Sequence, residues 1–139
     1  MIEILNQQNR FQVNQTHFKN LLKKLIKYYP VKDPEITLVF VNNQEIKKLN
    51  QKYLGRDKVT DVLSFPLKET SPDGKFLLGD IIISVDQAFE QSSCQSQPLE
   101  RELEILTIHG CLHLLGFEHS KGLEQEEKKI RNMIFEKKK

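Results

Sequence analysis

Phe76-Leu77-Leu78-Gly79-Asp80-Ile81-Ile82-Ile83-Ser84-Val85-Asp86-Gln87 decides how the chain is built. Ile81, Ile82 and Ile83 are apolar without alternation, the pattern of a strand covered on both faces. Ser84 with Gln87 three residues on forms a capping box, so a helix starts where that strand ends. Upstream, Ser71-Pro72-Asp73-Gly74 is turn chemistry, because Pro72 presets φ and Gly74 accepts a left-handed conformation. The strand over residues 62–67 therefore pairs antiparallel with residues 76–84, through a longish loop.

Working outward, residues 1–5 read as a short strand and residues 36–41 as a β-rich apolar one. Between them a helix starts at Asn14 or Thr16. Phe18, Leu21, Leu22, Leu25, Ile26 and Tyr29 recur along it at helical spacing until Pro30 stops it. Asn42 with Glu45 caps a further short helix reaching about Lys52. On the other side, Gln97-Pro98 opens a helix whose Glu100, Glu102 and Glu104 complement the positive end of its dipole. Leu103, Leu106 and Leu114 supply its apolar contacts, and Gly116 ends it. A last helix over Leu123–Phe135 turns Leu123, Ile130, Met133 and Ile134 inward. The expectation is one α+β domain over residues 1–139, a small mixed sheet of about four strands packed with about five helices.

The 139 residues suit one modest core, and 38% hydrophobic with 29% charged residues is a globular mixture. No apolar run approaches the roughly 20 residues of a membrane span, and the N-terminus lacks the pattern of a signal peptide. Two cysteines, Cys94 and Cys111, indicate no disulfide framework, so a reducing cytoplasmic setting is expected. Charge is uneven: 11 basic against 5 acidic side chains over residues 1–60, 3 against 10 over 61–120, and 7 against 4 over 121–139. That is compatible with solvated helix faces, and equally with one face meeting a polyanion while another holds a cation.

Three of the four histidines fall in His109-Gly110-Cys111-Leu112-His113-Leu114-Leu115-Gly116-Phe117-Glu118-His119. Residues four apart on a helix lie about 40° apart around the axis and about 6 Å along it. His109 and His113 can thus aim at one ion, about 2.0–2.1 Å from each nitrogen if the ion is zinc. Gly116 can turn the chain so that His119 returns to the same point. Three neutral nitrogens with a fourth position open to water is the pattern of a catalytic zinc site, with one Zn2+ per chain. Cys111 lies about 200° around the helix from His109 and should face the core. Cys94 falls in a loop as a free thiol, and His17, among lysines, reads as solvated. The spacing +4, +10 with Gly at +7 matches the metzincin peptidases. Those enzymes carry a general-base Glu after the first His, where this chain has Gly110. Glu118 is the nearest substitute, and Glu installed at position 110 would create weak peptidase activity without being needed for RNA cleavage.

The histidine block resembles the signature of the YbeY family, bacterial rRNA maturation factors described as single-strand-specific metal-dependent endoribonucleases. Leu49-Asn50-Gln51-Lys52-Tyr53 belongs to the same resemblance. So do Asp57 with Thr60-Asp61-Val62-Leu63-Ser64-Phe65-Pro66, and Leu78-Gly79-Asp80-Ile81-Ile82-Ile83-Ser84. It covers nearly the whole chain. It implies a single α+β domain, zinc at His109, His113 and His119, and a cytoplasmic, ribosome-associated role at the 16S rRNA 3′ end and in ribosome quality control. Single-stranded RNA and ribosomal proteins would be the partners, with no membrane. Family members carry a functional Arg directly after the aromatic residue of the Leu-Asn segment. Here that position is Leu54, and either Arg56 reaches the same phosphate from a shifted backbone point or the role is lost.

Each of these residues has a plainer reading as well. Asp61 and Asp80 flank strands, where Asp commonly caps turns. Ser64 and Phe65 suit strand packing, and Lys23, Lys24, Lys27, Lys47, Lys48, Lys52 and Lys58 suit solvated faces. Those near Arg56 can also bind phosphates without reading sequence. Three functions follow. The first is a zinc-dependent RNA phosphodiesterase, in which zinc activates water or polarises a phosphoryl oxygen and Arg56 offsets developing charge. Its nucleophile is either that water or the RNA 2′-hydroxyl. The second is a non-catalytic ribosome-assembly factor with structural zinc. The third, a metallopeptidase, is disfavoured by Gly110.

Overall fold

The computed structural model describes residues 1–118 and 122–135. Its elements run β1 (Ile2–Asn6), α1 (Gln15–Ile26), β2 (Glu35–Val41), α2 (Asn43–Leu54), β3 (Val62–Thr70), β4 (Phe76–Ser84), α3 (Val85–Cys94), α4 (Leu99–Leu114) and α5 (Leu123–Phe135). Four strands form one sheet in the order β1-β2-β4-β3. β1 runs parallel to β2 and β2 parallel to β4, while β3 returns antiparallel on β4. The sheet is therefore mixed, and the fold is α+β as expected.

β4 is paired on both sides, and helices cover both its faces. Ile81 and Ile83 face α1 and α4 within the main core, and Ile82 faces the smaller core beneath α2. That is the physical reason its apolar run does not alternate. β3 forms one edge. Its Val62 and Ser64 look toward α4, and its Leu63 and Phe65 look toward α2.

The caps hold as read. The Asn14 and Asn42 side chains accept from the backbone N–H groups of His17 and Glu45, and the Ser84 hydroxyl accepts from that of Gln87. α2 runs two residues past the expected end and stops at Gly55, whose φ of 69° supplies the left-handed cap. β3 is longer than expected, continuing through Thr70 past an irregular register between Pro66 and Glu69. Pro98 sits at the N-cap of α4 with no side-chain cap bond. Glu102 is buried rather than displayed toward the dipole: the Gln97 amide donates to it at 2.7 Å, and burial raises its pKa. Cys94 is exposed, as a free thiol, but it is the last residue of α3 rather than part of a loop.

On α5, Leu123 and Ile130 are fully buried, whereas Met133 is exposed and Ile134 half-buried. Phe135 takes the inward role instead, with the Arg101 guanidinium 3.6 Å from its ring centroid. α4 is held mainly by its apolar side: Ile108, Cys111, Leu112 and Leu114 are all fully buried. Burying an Ile or Leu of this kind contributes about 1.5–3 kcal/mol. Such a helix presents its remaining side chains in fixed directions.

Candidate active site

α4 crosses β3 and β4 with Gly110 against the sheet. A Cβ placed on Gly110 would lie 2.6 Å from Ile81 Cγ2 and 3.3 Å from Ser64 Oγ. The residue is glycine because the helix comes too close for any side chain, and the Ser64 hydroxyl donates to the Gly110 carbonyl at 3.3 Å. That contact also bears on the expectation that Glu at position 110 would create peptidase activity. Position 110 points at Ile81, so a Glu there is buried against the strand. Cys111 is buried as expected, and burial pushes its thiol up to about 12. Cys111 packs inside the main core, away from the residues that line the histidine cleft.

His109 and His113, one turn apart, stand half-buried with ring centroids 4.7 Å apart at an interplanar angle of 72°. Both line a cleft of about 440 Å³ that wraps the start of edge strand β3. Its other walls are Val62, Leu63 and Ser64 of β3, and Asn50, Leu54, Arg56, Lys58 and Thr60 from the end of α2 and the following loop. Sequence spacing alone places the histidines together. The arrival of Arg56 and Lys58 from some fifty residues upstream requires the fold.

Two devices carry the cationic loop to the cleft. Gly55 reverses the chain, and the amide of buried Asn50 donates to the Lys58 carbonyl at 3.0 Å. Arg56 and Leu54, at the shifted and the expected positions of the Arg, line the same cleft. Asp61 does structural work: it accepts from the Val62 N–H at 2.8 Å and from the Gln91 amide at 3.2 Å. Asp80 lies on the α2 side of the sheet opposite Phe65, with its pKa raised by burial.

Gly116 turns the chain as expected. With φ at 106°, its N–H donates to the His113 carbonyl, and the Phe117 N–H donates to the Leu112 carbonyl. This is the Schellman closure of α4. His119 lies outside the described residues, and Glu118 is exposed.

Sequence reading missed Glu127 of α5. Its carboxylate lies 3.2 and 3.4 Å from His109 Nδ1. The bond raises the His109 pKa above its ordinary value, with burial opposing. A carboxylate on one ring nitrogen is the usual companion of a metal bound through the other. A cation ligated by His109 would therefore be taken through Nε2. The donor set fits zinc: two imidazoles on one cleft wall, one of them oriented by a carboxylate. The only hint in the sequence was the acidic first half of α5, which reads as dipole complement.

His17 also departs from expectation. It is paired with Glu104, Nε2 to Oε2 at 2.6 Å, rather than solvated. With Glu100 it forms a second group able to hold a metal ion, with ligand atoms within 4.8 Å of one another. It joins α1 to the start of α4, apart from the cleft-lining residues. Arg101 also lies 3.6 Å from Glu104 there.

The family model described as Endoribonuclease YbeY matches residues 3–137. This chain belongs to the YbeY family. The Endoribonuclease YbeY of Syntrophus aciditrophicus is 37% identical, covering 96% of this chain and 88% of the relative. That of Clostridium botulinum is 38% identical over 94% and 90%. A Thermotoga maritima protein solved in solution superposes with a TM-score of 0.68 at 30% identity, covering 99% of this chain and 91% of its own. YbeY membership thus extends over the sheet, the α2–β3 loop and the histidine helix together.

Proposed function

We propose that the chain is a zinc-dependent endoribonuclease that cuts single-stranded RNA and acts in maturation of the 16S rRNA 3′ end and in ribosome quality control. One zinc would be held by His109, His113 and His119, and the setting would be the bacterial cytoplasm. The observation that carries this reading is the shared cleft. His109 and His113 face Arg56 and Lys58 across the start of β3, and relatives named Endoribonuclease YbeY align along nearly the whole chain.

Bound zinc would supply Lewis-acid polarisation of a phosphoryl oxygen. The protein's own groups do the rest. Arg56 and Lys58 hold the anionic backbone and offset the charge that develops on the phosphoryl oxygens. Glu127 fixes the His109 ring through Nδ1. The cleft is flanked by Ser64 and Asn50, and no carboxylate is among its described lining residues, which suits a substrate that brings its own charge and its own 2′-hydroxyl. The same feature speaks against peptide hydrolysis, since position 110 faces Ile81.

The test is cleavage of single-stranded RNA by zinc-loaded protein beside His113→Ala and Arg56→Ala. His113→Ala should abolish cleavage, and Arg56→Ala should slow it more than Lys23→Ala on α1 does. A 2′,3′-cyclic phosphate end identifies the 2′-hydroxyl as nucleophile, and a 3′-hydroxyl paired with a 5′-phosphate identifies water. Intact RNA with the wild type, alongside chelator-sensitive proteolysis, would replace this reading with a peptidase. RNA affinity without cleavage would leave an assembly factor.

A further inference from the structure

Residues 51–59, Gln-Lys-Tyr-Leu-Gly-Arg-Asp-Lys-Val, are exposed without interruption. Three of the eight large exposed hydrophobic side chains among the described residues fall within this stretch. Tyr53 is 57% exposed and Leu54 51%, with Val59 less so. An isolated exposed apolar residue needs no explanation, but a cluster of this kind marks a binding surface.

Its surroundings say what it binds. Lys52, Arg56 and Lys58 stand in the same stretch against a single acid, Asp57, and Lys47 and Lys48 precede them on α2. The Tyr53 ring is braced edge-on by Phe65, centroids 5.5 Å apart at 63°. The Lys52 ammonium lies 5.1 Å from the same ring on a flexible stem that a phosphate can draw aside. Leu54 and Arg56, the neighbours of this ring in the chain, line the cleft with His109 and His113. An exposed aromatic ring among cations, beside a cleft suited to phosphodiester chemistry, is how proteins hold unpaired nucleotides.

We propose that the shoulder formed by the end of α2, with Tyr53 at its centre, is a base-stacking platform for single-stranded RNA whose backbone passes Lys52, Arg56 and Lys58 into the cleft. The inference rests on the nuclease reading and deepens it. A base can lie on Tyr53 only if it is out of a helical stack, so the platform selects unpaired RNA over duplex. The stack is sequence-tolerant, because every base has a π-face.

The experiment measures binding of zinc-loaded protein to a fluorescent 2′-O-methyl oligoribonucleotide of about twelve nucleotides, a length within the usual range for single-strand binding sites. It is presented single-stranded or annealed to its complement. Tyr53→Ala should weaken single-strand binding about tenfold or more, whereas Tyr53→Phe stays within about twofold of wild type. Tyr53→Leu keeps apolar surface without a ring and should behave as the Ala variant does. Duplex affinity should not change, and the salt dependence should fall in Arg56→Ala but not in Tyr53→Ala. Single-strand affinity in Tyr53→Ala equal to wild type overturns the platform and leaves the nuclease reading standing. Equal losses for single strand and duplex also overturn it, in favour of a plain phosphate surface. If the wild type fails to hold the single strand at all, the nuclease reading falls with the platform.

Discussion

Glu127 reaches His109 from a different helix, and 18 positions in the chain separate them. His109 and His113 are legible because helical geometry ties positions four apart. Glu127 is not, because nothing local fixes the rotation of α5 against α4. Tertiary contacts do so, the packing of Leu123 and Ile130 among them. A ring nitrogen anchored by a carboxylate is more basic and better oriented toward a cation. Glu127→Ala should lower zinc affinity about 10- to 100-fold, with Glu127→Gln losing less because its amide oxygen still accepts. Competition against a chromophoric chelator measures this, with the unfolding midpoint of the metal-free variants as control for folding. Zinc affinity unchanged in the Ala variant would remove Glu127 from the site.

Among elements, α4 and β4 set the geometry by their closeness at Gly110. In the sequence, Gly110 registers as a missing general base, a reading borrowed from the chemistry of other histidine helices. The structure assigns it to contact between helix and sheet. Gly110→Ala should destabilise the protein by about 1–3 kcal/mol, as overpacking does. Urea unfolding reads that loss directly. Gly110→Glu should cost more and produce no proteolysis. Stability equal to wild type in the Ala variant would show that α4 can lift off Ile81 without penalty. The same limit explains the other misreadings at this scale. Caps and turns are local, so α1 to α3 and the β3–β4 hairpin are readable from Asn14, Asn42, Ser84 and Pro72-Asp73-Gly74. The inward side of α5 depends on a neighbour, so Met133 and Phe135 exchange roles. The extension of β3 to Thr70 depends on what β4 offers as partner.

For the molecule as a whole, the histidine wall is tied to the rest through α5. The Tyr29 hydroxyl, in the turn after α1, donates to Glu126 at 2.5 Å, and burial raises its pKa. Glu126 and Glu127 thus fasten α5 to α1 and to His109 at adjacent positions. A cation bound by the histidines should therefore stabilise the entire fold rather than one loop. With free zinc at about a hundredfold its dissociation constant, the gain is about 2.7 kcal/mol, or roughly 8 °C in midpoint for a chain of this size. Calorimetry with and without chelator measures it. An unchanged midpoint under saturating zinc would mean that no such cation is held.

All four strands of the sheet lie within residues 2–84, while the helix that covers β3 and β4 on one face begins at Leu99. As the chain is synthesised, β1 to β4 can pair before α4 has been made. For that interval Ile81, against which Gly110 of α4 later packs, lacks that cover. A chain halted there would be an adhesive half-molecule, open to capture by a chaperone or by another copy of itself. The histidines travel on the segment that ends this exposure. Their arrival and the burial of the sheet are one event, so a metal taken up by these histidines would be taken up by a molecule that has already ceased to be sticky.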